Sequence, residues 1–349
     1  MRFSTKFLER SKVVLVCSLS VISGLAFAAA GEMDQGFGEG GVAVFQSPDL
    51  KPIIYEGRID STGKTWVVGA NQEMPRTPLI TKWHSDGTSD TLFGVVQEFP
   101  GIDTGTQELM ATRIAFDNNG KKLIGGSEGS GPQKMRSTSA AFLARMNDDG
   151  SMDTSFGDDG YTTVTLPGSH FSVTLASITF DDQGRIVAAI DAGNPGAVAR
   201  FNPDGSLDES FGENGIAMEE NPCRPGEAMS YFTAEVMGDE TILASGTMMP
   251  VFGKDTTIDP DKPAGVVTRF HPDGTVDKTF GTTGTLYIQP AAEMPLMIYR
   301  LEELEEEKTL LLGSSPDMMF GDAYFLGRIN GDGSFDSSFG IDGKVTDFP

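Results

Sequence analysis

The sequence predicts an all-β protein, a β-propeller built from four-stranded antiparallel blades. Two observations predict it: one phrase recurs along the chain, and short apolar runs bounded by turn residues lie between its copies. The 349 residues include 43 Gly, and this share lies well above the roughly 7% of average proteins. Such a composition is typical of a turn-rich protein with many strands.

The recurring phrase appears six times and sets the number of blades. Its clearest copies start at Arg145, Arg200, Arg269 and Arg328, and the second reads Arg-Phe-Asn-Pro-Asp-Gly-Ser-Leu-Asp-Glu-Ser-Phe-Gly. A degenerate copy starts at Lys82 and a half copy at Asp34. The anchoring phenylalanines, 55 to 69 residues apart, are Phe37, Phe93, Phe156, Phe211, Phe280 and Phe339. Six anchors enclose five full units, so we expect five blades, with six as the alternative.

Within a unit the pattern predicts four strands, most clearly at residues 161–166, 176–180, 185–190 and 197–201. A hairpin turn at residues 181–184 separates the second run from the third, and residues 117–120 and 61–63 match it in other units. After the fourth run, Asn202-Pro-Asp-Gly205 forms a turn, in which Pro presets φ and Gly tolerates a positive φ.

Two segments need the repeat for their interpretation. Residues 301–308 (LEELEEEK) have helical propensity but fall where the other units place a hairpin, so we expect a hairpin with an acidic tip. Residues 41–46 and 343–348 occupy the same repeat position at the two ends of the chain. We expect one of these two strands to close the ring by completing a blade begun at the opposite terminus, which leaves the other without an assigned partner.

The phrase resembles the delta-60 repeat of bacterial secreted and surface proteins, and the resemblance covers nearly all of residues 31–349. The matching residues are the Arg-x-Asn-x-Asp-Gly-Ser/Thr-x-Asp-x-Ser/Thr-Phe-Gly series. The resemblance implies a β-propeller fold and export, and no defined activity. The copy at Lys82 departs from the series, so we expect a distorted blade there.

Residues 1–30 predict a signal peptide cleaved near residues 28–30, followed by a single propeller domain over residues 31–349. A basic start at Arg2, Lys6, Arg10 and Lys12 precedes an apolar run of about 16 residues, short of the roughly 20 that span a membrane. We therefore expect a secreted or periplasmic protein without stable membrane insertion. The net charge of -24 argues against nucleic-acid binding.

The oxygen-bearing residues of the phrase have two interpretations. They alternate, as the ligands of a calcium loop do, but Asn, Asp and Gly are also the residues that a hairpin turn requires. We favour the turn and leave calcium open. The residues concerned are Asn147, Asp149, Asp153, Asn202, Asp204, Asp208, Asn330, Asp332 and Asp336. Phe211 and its equivalents are expected to pack between blades.

Few residues qualify as catalytic. His84 and His271 occupy the Asn position of the turn, whereas His170 and Cys223 lie in loops of their own. No catalytic, cofactor-binding or metal-binding residue is therefore assigned, and no cofactor is expected. Five methionines of one unit form either an adaptable contact surface or, as we favour, ordinary core filling. They are Met218, Met229, Met237, Met248 and Met249.

Three functions remain open. We favour a non-catalytic, monomeric propeller whose loops bind a protein, glycan or cell-surface partner, because loops carry function in such scaffolds. The main alternative is an extracellular hydrolase or lyase that acts on a carbohydrate or lactone with channel carboxylates or calcium. The third is an envelope protein whose surplus terminal strand pairs with another molecule.

Overall fold

The computed structural model describes residues 12–16, 33–46, 50–73, 75–100, 107–130, 140–166, 173–193, 196–218, 227–250, 265–288, 296–315 and 323–345. In these residues the regular secondary structure consists of 23 β-strands. The predicted all-β class is confirmed. No helix in the described ranges has the length and apolarity needed to cross a membrane.

Five antiparallel sheets follow one another along the chain, and we call them blades 1 to 5. A two-stranded sheet precedes them, formed by β1 (Lys12–Val16) and β2 (Val42–Gln46). Blade 1 contains β3 (Pro52–Ile59), β4 (Thr65–Asn71), β5 (Thr77–Trp83) and β6 (Val95–Val96). Blade 2 contains β7 (Gln107–Phe116), β8 (Lys122–Ser130), β9 (Ala140–Met146) and β10 (Tyr161–Val164). Blade 3 contains β11 (Thr174–Leu175), β12 (Thr179–Phe180), β13 (Ile186–Asp191), β14 (Ala197–Phe201) and β15 (Ile216–Met218). Blade 4 contains β16 (Glu227–Val236), β17 (Ile242–Pro250), β18 (Gly265–Phe270) and β19 (Thr285–Ile288). Blade 5 contains β20 (Met297–Leu304), β21 (Lys308–Ser315), β22 (Ala323–Ile329) and β23 (Lys344–Val345).

Each blade has the same plan. Its strands pair in chain order, and blade 3 fits this plan because β11 and β12 are two pieces of one first strand that both pair with β13. The predicted hairpin turns form, with the amides of Gly63, Gly120 and Gly184 donating to the carbonyls of Asp60, Asp117 and Asp181 at 2.9 Å. The predicted hairpin at residues 301–308 is confirmed, because β20 pairs with β21 around an exposed acidic turn.

The core is divided among the junctions between successive blades. One apolar cluster joins the start of the chain to blade 1, and four others join blades 1 and 2, 2 and 3, 3 and 4, and 4 and 5. Within the described residues no such cluster joins blade 5 to blade 1 or to β2. We call the face that a blade turns to the next blade its leading face, and the opposite face its trailing face.

The repeated phrase connects the last two strands of each blade and also builds the junctions. Phe156, Phe211 and Phe280 are 0 to 1% exposed, and each packs under the turn glycine of the next copy, which is Gly205, Gly274 or Gly333 respectively. This confirms that these phenylalanines pack between blades. Blade 1 keeps its four strands although its copy of the phrase, which starts at Lys82, is degenerate. In this copy the Gly94 amide donates to the Asp90 carbonyl of the same phrase, whereas the corresponding glycine amides of blades 2 to 4 donate to the next copy.

The expected ring closure by a terminal strand is wrong. The strand at residues 343–348 is described only to Val345, and this part, β23, pairs with β22 of its own blade. The reason is local: the phrase is itself a hairpin connection, and the Arg328 amide donates to the Gly343 carbonyl at 2.9 Å. A strand that follows the phrase therefore returns to the strand that precedes it.

The surplus strand is β2, and its partner is β1, which lies inside the predicted leader. Val42 pairs with Val16, as Tyr161 pairs with Ala144 in blade 2. The β1–β2 pair therefore corresponds to the last two strands of a sixth blade whose first two strands are missing from the described residues. If the leader is cleaved as expected, β2 loses this partner.

Candidate functional site: the inner strands

The first strands of the blades line the axis of the propeller. Successive first strands contact each other, as β3 does with β7, β12 with β16, and β16 with β20. Together they form the surface on which groups from all blades converge. We call them the inner strands.

A β-bulge recurs at the same position in four inner strands. The pairing register shifts around one extra residue in β3, β7, β16 and β20, and in blade 3 the gap between β11 and β12 falls at this point. Bulges re-aim side chains and are over-represented beside binding sites. The extra residues are Tyr55, Thr112, Phe232 and Tyr299.

Three of these four bulge residues are aromatic. The rings of Phe232 and Tyr299 are stacked with centroids 5.5 Å apart, so the bulges of blades 4 and 5 form one aromatic surface. Tyr55 and Tyr299 remain 40% and 47% exposed. Exposed aromatic rings with polar tips are groups that binding surfaces use often.

Charged residues follow the bulges. Glu56 accepts hydrogen bonds from Arg58 Nε at 2.9 Å and from the Ile114 amide at 2.8 Å. Arg113 donates to the carbonyls of Thr112 and Ala176, and burial lowers the pKa of its guanidinium. These contacts fix the inner strands of blades 1, 2 and 3 to one another.

Glu235 is the carboxylate of this surface whose pKa is raised. Burial raises the pKa of Glu235, against the opposing charges of Arg300 and Arg58 and a hydrogen bond with Thr179. Desolvation therefore favours the protonated form of this carboxyl group more than the two cations favour its ionised form.

The phrase residues behave as turn residues. In the copy at Arg200, Asp204 Oδ1 accepts from Ser206 N at 3.0 Å and from Ser206 Oγ at 2.7 Å. Asn202 turns its amide nitrogen, not its oxygen, towards Ser206. The copies at Arg145 and Arg328 repeat this pattern. In the described part of the chain no group of three or more His, Cys, Asp or Glu is placed to hold a metal.

The remaining candidate residues, three histidines, five methionines and one cysteine, are turn residues, core residues or residues outside the described part. The amides of His84 and His271 donate to Thr88 and Thr275 within the turns, so both are turn substitutions as predicted. Met229 and Met248 are buried in the junction of blades 3 and 4, and Met218 and Met237 pack against neighbouring clusters, which confirms core filling for these four. The side chain of Met249, together with His170 and Cys223, lies outside the described part.

Sequence reasoning missed the inner strands as a site. The signal was present in the sequence, because Tyr55-Glu56 and Tyr299-Arg300 each place an aromatic residue directly before a charged one in the first strand of a blade. Only the cross-strand register shows that these two pairs of residues lie at the same level of the propeller.

The fold defines the class of the protein as a β-propeller. A family described as "Domain of unknown function (DUF5122) beta-propeller" matches residues 184–211. A comparison with curated protein sequences found no match.

Among solved structures, a PL25 ulvan lyase is similar at 10% identity and a TM-score of 0.45, over 79% of this chain and 68% of that one. Virginiamycin B lyase from Staphylococcus aureus is similar at 12% identity and a TM-score of 0.40, over 79% and 69%. A putative exo-β-1,3-galactanase from Bifidobacterium bifidum is similar at 10% identity and a TM-score of 0.42, over 85% and 90%. Similarity at this level does not extend to a shared activity.

Proposed function

We propose that the protein is an exported, non-catalytic β-propeller of the delta-60 type that binds a glycan against its inner strands. The observation that carries the proposal is the aromatic residue at the same bulge position in three blades, exposed at Tyr55 and Tyr299. Sugar rings have apolar C–H faces and hydroxyl edges. Aromatic faces flanked by Arg58, Arg300 and Glu302 match both kinds of surface.

The proposal is tested by measuring glycan binding to the Tyr299→Ala variant. A glycan array identifies the probe, and calorimetry then compares the wild type with the variant. We expect binding to weaken about tenfold or more, because truncation of a central aromatic residue costs above roughly 1.4 kcal/mol. Tyr299→Phe keeps the ring and should retain most of the affinity.

The matched control is Leu92→Ala, which removes a large apolar side chain that is 99% exposed and lies away from the inner strands. It should bind as the wild type does. Equal affinity for Tyr299→Ala and Leu92→Ala would refute a role for the aromatic surface. Export is tested separately by sequencing the N-terminus of the protein recovered outside the cytoplasm, which should start at residues 29–31.

The raised pKa of Glu235 favours one second candidate, a hydrolase or lyase in which this carboxyl group transfers a proton. In that case the wild type would cleave the bound glycan, and Glu235→Gln would bind it without cleaving it. Binding without cleavage by the wild type excludes this candidate for the glycan tested.

A further inference from the structure

A cavity of about 200 Å³ lies between blades 2 and 3, where both blades place the turn after their first strand. Asp117, which lines it, follows the bulge residue Thr112 by five positions, or roughly 16 Å along an extended strand. The cavity is therefore a different place from the aromatic surface at the bulges. Its lining also includes Leu123, Arg145, Phe180 and Gln183.

Blade 2 lacks the large side chain that blade 1 places at this position. Trp66 and Leu123 have the same register on the leading faces of blades 1 and 2, because each pairs with the first residue of its phrase, Lys82 or Arg145. The leucine side chain is much smaller than the indole, and it forms part of the cavity wall.

One carboxylate oxygen at the cavity has no hydrogen-bond donor. Asp117 Oδ1 accepts from the Asn119 amide at 2.8 Å and from the Lys121 amide at 2.9 Å. Among the described residues nothing donates to Oδ2, and Arg145 Nη1 is 4.0 Å away from it. The Asp117 side chain is only 14% exposed. An acceptor that is largely withdrawn from solvent gains from a ligand that donates to it.

The equivalent oxygens of blades 1 and 3 already have donors. Asp60 Oδ2 accepts from Trp66 Nε1 at 2.9 Å, and Asp181 Oδ2 accepts from Arg185 Nε at 2.6 Å. Blade 2 has neither donor, because Leu123 replaces the tryptophan and carries no N–H group.

Lys121 holds the position of that arginine in blade 2, but its side chain lies elsewhere. Its ammonium group donates to Asn147 and forms an ion pair with Asp153 at 3.3 Å. Blade 2 therefore combines a cavity with a free acceptor, a combination that the turns of blades 1 and 3 avoid.

The groups around the cavity favour a neutral ligand that carries hydroxyl groups. Arg145 and Asp117 offset each other's charge across 4.0 Å, so neither a cation nor an anion gains a net attraction. A hydroxyl group donates to the carboxylate without adding a charge. The half-buried Phe180 supplies an apolar ring, and the volume lies below the roughly 300–1,000 Å³ of pockets for drug-sized ligands. One sugar ring has this size and this mixture of apolar and hydroxyl surfaces.

We propose that the cavity between blades 2 and 3 binds one neutral sugar residue, with a hydroxyl group donating to Asp117 Oδ2 and the C–H face of the ring against Phe180. The exposed amide side chains of Asn118, Asn119 and Gln183 line the same cavity, and they can donate to and accept from further hydroxyl groups. This site does not rest on the proposed function, because no bulge residue contributes to it.

The test is saturation-transfer-difference NMR of the full chain with free glucose, galactose, mannose and N-acetylglucosamine. We expect at least one of them to bind with a dissociation constant of about 1–10 mM. Glucosamine and glucuronate, which carry opposite charges, should bind more weakly. Asp117→Asn keeps an oxygen for the turn and replaces the free acceptor, so the dissociation constant should rise about tenfold or more. Asp60→Asn makes the same change in the turn of blade 1 and should bind as the wild type does.

A second variant fills the cavity. Leu123→Trp gives blade 2 the indole of blade 1 and should abolish binding, and circular dichroism checks that both variants fold. Tyr299→Ala should bind these monosaccharides as the wild type does, which separates this site from the aromatic surface. Absence of binding by all four neutral sugars, tighter binding of a charged sugar, or binding that survives Asp117→Asn would overturn the proposal. Binding that Tyr299→Ala removes would assign the sugar to the bulges and overturn it as well.

Discussion

Gly205 is a residue at which the backbones of two neighbouring phrase copies are in close contact. Its φ is +87°, and a Cβ atom there would lie 2.8 Å from the Gly157 nitrogen and 2.9 Å from the Phe156 ring. Two independent requirements therefore select glycine: a left-handed backbone and a backbone-to-backbone approach. Gly184 shares the first requirement, with φ +74°, but has no atom within 4 Å of such a Cβ.

Replacement of each glycine by alanine separates the two requirements. Gly184→Ala should lower the free energy of unfolding by about 1–2 kcal/mol, the usual cost of a left-handed alanine. Gly205→Ala should lower it by about 1–3 kcal/mol more, because the added methyl group overpacks the junction. Urea denaturation measures both variants, and similar losses would contradict the close-packed junction.

The phrase is a turn held together by its own carboxylates. Burial opposes ionisation of Asp277, but hydrogen bonds from Thr279 and Arg269 and the charge of Arg269 outweigh it and lower its pKa to about 2. Asp153 has a similar environment, with Ser155 and Arg145 as the partners that lower its pKa to about 2. Each carboxylate therefore links the arginine at the start of its phrase to the hydroxyl residue that follows the carboxylate by two positions.

These pKa values predict an acid-dependent loss of stability. The unfolded chain, with an Asp pKa near 3.9, binds protons before the folded chain does. The stabilisation is therefore fully present above about pH 5 and is lost as the pH falls towards 2. Urea midpoints measured between pH 6 and pH 2 should fall for the wild type.

Asp277→Asn removes one of the groups responsible, so its stability should be lower at pH 6 and should fall less steeply. The control, Asp182→Asn, changes an exposed hairpin residue and should follow the wild-type curve. A slope in Asp277→Asn as steep as that of the wild type would assign the acid sensitivity to other groups.

The parts of the propeller that could be predicted from the sequence are those held by short-range interactions. The phrase turns and the hairpins depend on residues within five positions of each other, so sequence spacing was enough to find them. The inner-strand bulges depend on cross-strand register, and Tyr55 reads as an ordinary strand residue until β3 is paired with β4. The terminal strands were paired wrongly because repeat counting starts a unit after Phe339, whereas the sheet continues through it to β23.

The same arginine of the phrase lies at the junction of blades 3 and 4 as Arg200 and in blade 5 as Arg328. Arg200 and Arg328 each donate from Nε to the phrase carboxylate at 2.8 Å and stack on the anchor phenylalanine. Within the part of the chain that the structure describes, only Arg200 also reaches the next copy, at the Pro272 carbonyl. Arg200→Met should therefore cost about 1–3 kcal/mol more than Arg328→Met, the price of leaving a junction acceptor unpaired in a buried site. Urea denaturation of both variants measures this difference. Equal costs would show that junction contacts add nothing beyond the phrase itself, and blade 5 would then be no different from its neighbours.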